Sequence, residues 1–547
     1  MAVRDHATAA EQSAVLDEAH LGDIQGALGT IKVEDTGARR TWAARLLTLL
    51  AIVGPGLIVM VGDNDAGGVA TYSQAGQNFG LSLLWVMPLL IPVLIVNQEM
   101  VVRLGAVTGV GHARLINERF GKFWGAFSVG DLFLLNFLTI MTEFIGVGLA
   151  LGYFGVSPYV SVPIAAVGLM AMTATGSFRR WERFMLVFVA ANFLVIPLVI
   201  FSHPRPGPFV HGLFIPGIQG GVTSTSVLLI IAIVGTTVAP WQLFFQQSNI
   251  VDKRITPRWI NYERADTAIG SVITVVGAVL IVATAGFAFA HTRYFGHFTN
   301  AAGVAHGLDR LLGNDAGTLY AIVLLNASII GAAAVTLSTS YAFGDVFSMK
   351  HSLHRRVTDA KTFYATFFGL VALAAGFVLI PHAPLGLITT SVQALAGVLL
   401  PSATVFLLLL CNDKEVLGPW VNKLWLNIVA GLIVSVLIAL SLILMATTLF
   451  PSININLVMS LLGLVLVAGG IVAAVIGWRL HGQREVTEED RIARQHREGW
   501  RMPPLALLER PVWSRGRRWS MLVLRGYLVV AVVLLAVRVV QIGIGQH

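Results

Sequence analysis

Hydrophobic residues make up 56% of this 547-residue chain, charged residues only 12%, and the mean hydropathy is +0.76. An ordinary soluble chain carries about twice that share of charge, and no soluble core could absorb so many apolar side chains. Soluble enzymes, DNA readers and disulfide-stapled secreted domains are excluded, and most of the chain must face lipid. The net charge of +8 sits in short segments between apolar runs, as in a membrane protein that fixes its orientation, so no nucleic-acid partner is expected. The single cysteine, Cys411, permits no intrachain disulfide.

Residues 1–43 carry seven acids and four bases with no apolar run, which predicts a disordered or loosely helical cytoplasmic tail. Twelve apolar runs long enough to span a bilayer follow, at residues 45–73, 80–102, 124–151, 157–176, 183–201, 223–248, 266–290, 318–347, 362–380, 385–411, 424–449 and 454–478. With the N-terminus inside, the inner loops before the last tail hold seventeen Lys and Arg, and the outer loops only Arg205, Arg293 and Arg310. The bias holds at every crossing, so the predicted location is the cell (inner) membrane with a cytoplasmic N-terminus. The polar segment 480–519 reads as a solvated cytoplasmic helix with a basic end at Arg515, Arg517 and Arg518. Residues 520–547 form a C-terminal apolar helix in which 520–543 holds Arg525 and Arg538; spanning and lying on the surface are equal readings.

Two spans are interrupted in the middle. The first reads Gly54-Pro55-Gly56, then Asp63-Asn64-Asp65-Ala66-Gly67-Gly68; the sixth reads Gly235-Thr236-Thr237-Val238-Ala239-Pro240-Trp241-Gln242. Broken helices survive in a bilayer only where they line a cavity or bury against protein. The two breaks stand five spans apart, and because five is odd the second half enters upside down, as in an inverted repeat. This predicts a transport core over 44–412, with repeat one at about 44–202 and repeat two at about 223–412. Two additional helices then occupy 413–479. The substrate site falls at the bilayer midplane, between the breaks.

Asp63 and Asp65 lie deep in the first run, where a carboxylate is expensive and marks function by default. Unwound backbone beside them would add carbonyl oxygens, the hard-donor shell preferred by Mg²⁺, Mn²⁺ or Ca²⁺. A carboxylate capping a half-helix would explain the same acid equally well. Glu143 lies deep in span three, as a proton relay, an electrostatic neighbour or a hydrogen-bonding contact. Glu99, Asp131 and Asp345 read as vestibule acids, and the outer-loop histidines have no ligand spacing. No phosphate loop, His-Glu-x-x-His or Cys-x-x-Cys occurs, which leaves a secondary transporter, channel or receptor and no enzyme.

From Gly54-Pro55-Gly56 to about Gly418 the chain resembles the Nramp divalent-metal transporters. The family's Asp-Pro-Gly-Asn lies at fixed spacing before Gln-Ala-Gly. Counting back from Gln74-Ala75-Gly76 puts Asp65 on the metal-binding aspartate and Ala66, Gly67 and Gly68 on Pro, Gly and Asn. Arg103-Leu104-Gly105 with Thr108-Gly109, Ser340-Tyr341-Ala342, and Leu400-Pro401 with Asp413-Lys414 also match, and Gln393 falls on the span-ten glutamine. The resemblance implies an all-α LeuT-type fold of two inverted five-helix repeats, with Asp65, Thr236 through its carbonyl and Gln393 as metal ligands. It departs from the family at Gly68 for asparagine, Ala239 for methionine, Trp241 and Gln246 for two histidines, and Ile140 for an aspartate beside Glu143.

Losing the thioether removes the preference for softer metals, and losing histidines and a paired carboxylate argues against proton coupling. Together with Thr-Thr-x-Ala-Pro-Trp-Gln at Thr236 this resembles the Nramp-related magnesium transporters of bacteria. The implied activity is uncoupled alternating-access transport of partly hydrated Mg²⁺, and of Mn²⁺. Gly68 and Ala239 leave space for water, while Ala66, Gly67, Pro240, Trp241 and Gln242 shape the site. The expected partners are a divalent cation and the bilayer, with no resident cofactor and no obligate protein. Competing expectations are a proton-coupled Mn²⁺/Fe²⁺ transporter, an organic-solute carrier, and a non-transporting sensor or scaffold on the same fold.

Overall fold

The computed structural model describes residues 18–381, 385–450, 453–481, 495–508, 521–522 and 524–530. A short hairpin of β1 (Ile24–Gly26) and β2 (Gly29–Ile31) precedes the helices. The first predicted span is α1 (Trp42–Ile52), α2 (Pro55–Val61) and α3 (Ala66–Phe79). Then come α4 (Val86–Thr108), α5 (His112–Phe120), α6 (Lys122–Tyr153), α7 (Pro158–Thr173), α8 (Phe178–Ala191), α9 (Val195–Phe201) and α10 (Pro206–Phe214). The sixth span is α11 (Ser224–Thr237) and α12 (Pro240–Asp252). The remainder is α13 (Ile260–Phe289), α14 (Ala301–Leu312), α15 (Asn314–Val346), α16 (Lys361–Val378), α17 (Leu385–Cys411), α18 (Leu424–Leu449) and α19 (Ile455–His481). Among the described residues nine helices are long and apolar enough to cross a bilayer, or ten with the bent α1–α2 pair. The fourth and twelfth spans are shorter apolar helices.

Both interruptions have local causes. Proline at the first position of α2 follows Gly54 at φ +153, and the axis bends by 56° there. A side chain on Gly54 would strike the Glu182 carboxylate, its Cβ falling 2.0 Å from Oε1. After Val61 the run Asp63-Asn64-Asp65 leaves the helix, and the Asp65 side chain caps α3. In the sixth span Pro240 has no N–H to give Thr236, four residues earlier, so the ladder stops at Val238-Ala239.

The breaks are held in a buried frame. α3 packs on α13, α11 on α17, and α15 along α6. A Cβ on Gly235 would fall 2.4 Å from the Gln393 carbonyl, so α11 and α17 meet backbone to backbone beside the second break.

The expectation of a disordered N-terminal tail does not hold for residues 18–31. The hairpin is anchored by side chains distant in sequence. Arg179 Nε donates to the Gly26 carbonyl at 2.8 Å, Arg183 Nε to Ala27 at 2.9 Å, and Arg254 Nε to Ala19 at 2.9 Å. The Ala27 N–H donates to Glu182 Oε2. Residues 1–17 and most of the polar segment 480–519 lie outside the described residues. Its part at 495–508 is docked: Met502 is buried, its N–H reaches the Val107 carbonyl at 3.2 Å, and Trp420 Nε1 donates to Arg497 at 2.8 Å. Of the C-terminal apolar helix only 521–522 and 524–530 are described, with Met521, Leu524 and Leu528 buried.

Candidate metal site between the two helix breaks

Asp65 is 2% exposed, and its Oδ1 accepts the Gly68 N–H at 2.6 Å. It therefore caps α3, yet that oxygen also borders the face of Gly68. Three oxygens surround the place a Cβ on Gly68 would take: the Asp63 carbonyl at 2.9 Å, Asp65 Oδ1 at 3.3 Å and Thr236 Oγ1 at 3.3 Å. Glycine at 68 leaves them mutually exposed. Gln393 reaches in from α17, and a Cβ on Gly67 would fall 1.7 Å from its Nε2 and 3.3 Å from Asp65 Oδ1. The fold thus brings Asp65, Gly67, Gly68, Thr236 and Gln393 to one point.

Several polar atoms here have no partner among the described residues: Thr236 Oγ1, Gln393 Nε2, Trp241 Nε1 and Gln242 Nε2. The Thr236 carbonyl is likewise freed from the helix ladder by Pro240. A buried polar group without a partner costs roughly 1–3 kcal/mol, so such a concentration marks a place for a ligand. Ala239 caps α12 with nothing beyond its methyl, and its N–H donates to Gln242 Oε1 at 3.2 Å. Gln242 is thus both wall and helix cap. Trp241 packs under the first break, 3.6 Å from the place a Cβ on Gly62 would take, and its carbonyl accepts Ser338 Oγ at 3.0 Å.

Glu143 approaches Asp65 from α6. Its Oε2 accepts the Ala66 N–H at 3.0 Å, so it holds the first turn of α3. A Cβ on Gly331 would lie 2.6 Å from Glu143 Oε2 and 2.7 Å from Asp65 Cβ, so α15 presses the two acids together. A small pocket, lined by Ala66, Thr142, Gly146, Asn300 and Thr389 among others, borders the break.

The acids read as vestibule groups are structural. Glu99 pairs with Arg103 at 2.9 Å and Arg264 at 2.5 Å, Asp131 accepts Ser402 Oγ at 3.2 Å, and Asp345 meets His351 at 3.1 Å. Missed in the sequence was a buried network joining both broken helices on the side that carries the hairpin. Lys253 Nζ contacts the Ile52 and Val53 carbonyls at 2.6 and 2.9 Å and Glu182 at 2.6 Å. Asp266 accepts the N–H groups of Gly54, Gly56 and Leu57 at 2.8–3.2 Å, capping α2 from α13. Asp266, an acid at the start of the seventh apolar run, was the one signal for it, while Glu182 is masked among Arg179, Arg180 and Arg183.

Two interrupted helices crossing a buried, oxygen-lined site within a multi-span bundle define a membrane transporter of the LeuT type, not an enzyme. Residues 56–447 match the family model described as natural resistance-associated macrophage protein-like. The chain belongs to the Nramp family of divalent-metal transporters. It is 28% identical over 413 residues to the divalent metal cation transporter MntH of Aeromonas hydrophila, covering 72% of this chain and 94% of the relative. It is 26% identical over 416 residues to MntH of Bacillus subtilis, covering 73% and 93%. A manganese transporter structure from Eremococcus coleocola superposes with a TM-score of 0.61 at 21% identity, over 83% of this chain and 98% of that one, which speaks for the fold alone.

Proposed function

We propose that the protein carries Mg²⁺, and Mn²⁺, as a partly hydrated ion by alternating access, without proton coupling, across the cell (inner) membrane with its N-terminus in the cytoplasm. The observation that carries this reading is the donor set at the break: oxygens from Asp63, Asp65 and Thr236 around Gly68, with a methyl at Ala239. Among the described residues no group of three or more His, Cys, Asp or Glu gathers to strip an ion bare. Mg²⁺ dehydrates reluctantly and keeps several waters, which suits few protein ligands and hard oxygens. In this reading Asp65 is the charged ligand, Thr236 lends its carbonyl, and Gln393 turns its amide to present oxygen. A divalent ion gains about 4.6 kcal/mol per 100 mV of inside-negative potential, enough to drive entry without protons.

A second reading, proton-coupled Mn²⁺ transport, is supported by the Glu143–Asp65 contact and by the names of the relatives, two divalent metal cation transporters and a manganese transporter. Uptake into proteoliposomes with trapped metal and pH dyes separates the two. Potential-driven Mg²⁺ entry without acidification is expected; Mn²⁺ entry with protons and exclusion of Mg²⁺ establishes the second. Asp65→Ala is expected to abolish uptake of either ion while leaving expression intact.

A further inference from the structure

Asp63 stands in the first break and has no role in the ligand set above beyond its carbonyl. Its side chain is fully buried, and neither carboxyl oxygen makes a well-formed hydrogen bond among the described residues, the Gln242 amide being the donor beside it. It does not cap α3, because Asp65 does. No Lys, Arg or His forms an ion pair with it among the described residues. Its carboxyl faces the Gln242 side chain, the Asp65 carboxyl and the Tyr72 hydroxyl. Tyr72 is occupied, at 2.8 Å from Thr237 Oγ1. Gln242 Nε2 and Trp241 Nε1 are buried polar atoms without partners on the facing helix. An ionised carboxylate left alone in an apolar interior is strongly unfavourable, so it holds a proton until a cation joins it. Among the described residues Glu263 on α13 likewise has neither carboxyl oxygen hydrogen-bonded, but the Lys253 ammonium lies in its field. Among the described residues Asp63 has no such companion.

We infer that Asp63 is a second carboxylate for the transported cation, accepting hydrogen bonds from the water ligands of a divalent ion whose direct ligand is Asp65. Gln242 is then a positioning residue that orients it. With Glu143 kept as its neutral acid, the Asp63 and Asp65 carboxylates match a double positive charge, so the loaded site is electrically neutral where the surroundings are apolar. An outer carboxylate favours an ion that keeps its waters, so Asp63 weighs more on Mg²⁺ than on Mn²⁺. This inference rests on the hydrated-cation reading above.

The test uses the full-length protein with Asp63→Asn and Asp63→Glu, followed by uptake in proteoliposomes and by thermal unfolding with Mg²⁺ or Mn²⁺ added. Asp63→Asn is expected to unfold without metal at or above the wild-type temperature, since a lone buried acid is gone. It should lose the stabilisation given by Mg²⁺, and the KM for Mg²⁺ should rise at least tenfold and that for Mn²⁺ less. Wild-type KM values and an intact Mg²⁺-induced shift in Asp63→Asn overturn the inference. If Asp63→Asn does not fold, Asp63→Glu decides: a changed ratio of Mg²⁺ to Mn²⁺ KM supports the role, and an unchanged one refutes it. A wild-type protein that carries only Mn²⁺ overturns the hydrated-magnesium reading by itself, and the Mn²⁺ KM of the two variants still decides Asp63.

Discussion

Two buried aspartates, Asp252 and Asp63, face opposite circumstances. Asp252, at the end of α12, has both oxygens engaged: Oδ2 accepts the Tyr341 hydroxyl at 2.5 Å and the Leu353 N–H at 2.9 Å, while Oδ1 takes Ser352 and lies 3.5 Å from His20 Nε2. Asp63 has neither engaged. A charge satisfied by its own chain fastens a structure, here the N-terminal turn, α12 and the loop after α15. A charge left unsatisfied destabilises the empty protein, and it persists where something from outside completes it. The same division separates the network around Lys253, where the ammonium meets three acceptors, from the partnerless atoms around Gly68.

The largest expected effect breaks the satisfied side. Lys253→Met leaves the Glu182 carboxylate buried without its cation and the Ile52 and Val53 carbonyls without their donor. Removing one partner of a buried pair costs about 3–5 kcal/mol, so thermal unfolding should fall sharply. The double variant Glu182→Gln/Lys253→Met should recover much of that loss. If the single variant melts like the wild type, the network does not fasten the broken helices.

Ala239→Met sharpens the contrast from the other side, since it should leave stability nearly alone and move selectivity. A thioether at the second break favours Mn²⁺ and Cd²⁺ over Mg²⁺, and a tenfold change in the ratio of uptake rates corresponds to ~1.4 kcal/mol. An unchanged ion series from competition uptake would remove ligand softness as the basis of choice.

What the sequence made legible follows the same line. Each of the twelve apolar runs is helical, the first in three segments and the fifth and sixth in two, and both breaks fall where glycine, proline and closely spaced polar residues forbid a continuous ladder. Asp65, Gly68, Thr236 and Gln393, singled out by the motif, stand close together. These features are local, or are tied to motifs. The N-terminal hairpin was illegible because its stability is tertiary: three-residue strands in a charged segment, held by Arg179 and Arg183 from α8 and by Arg254 from the turn after α12. Those arginines counted only as orientation charges, a pattern that conceals specific hydrogen bonds. Gly26-Ala27-Leu28-Gly29 between short β-compatible pairs was the one available cue.

The smallest effect probes the hairpin side through pH. His351 follows the last turn of α15, outside the spans. Burial pulls its basicity down, but the Asp345 carboxylate, 3.1 Å from its Nε2, more than reverses this and holds it above the ordinary histidine value. A group with a raised folded value stabilises fully below its unfolded value, about 6.5, and loses that contribution as pH rises through the folded value. The wild type should therefore melt above His351→Gln at pH 5.5–6, with a gap of about 1–3 °C that closes by pH 8.5. Burial holds the nearby His354 below the ordinary histidine value, and subtracting the variant at each pH isolates the His351–Asp345 pair. A gap that widened with pH would mean that the neutral ring, donating to Met349, and not the ion pair, fixes this corner.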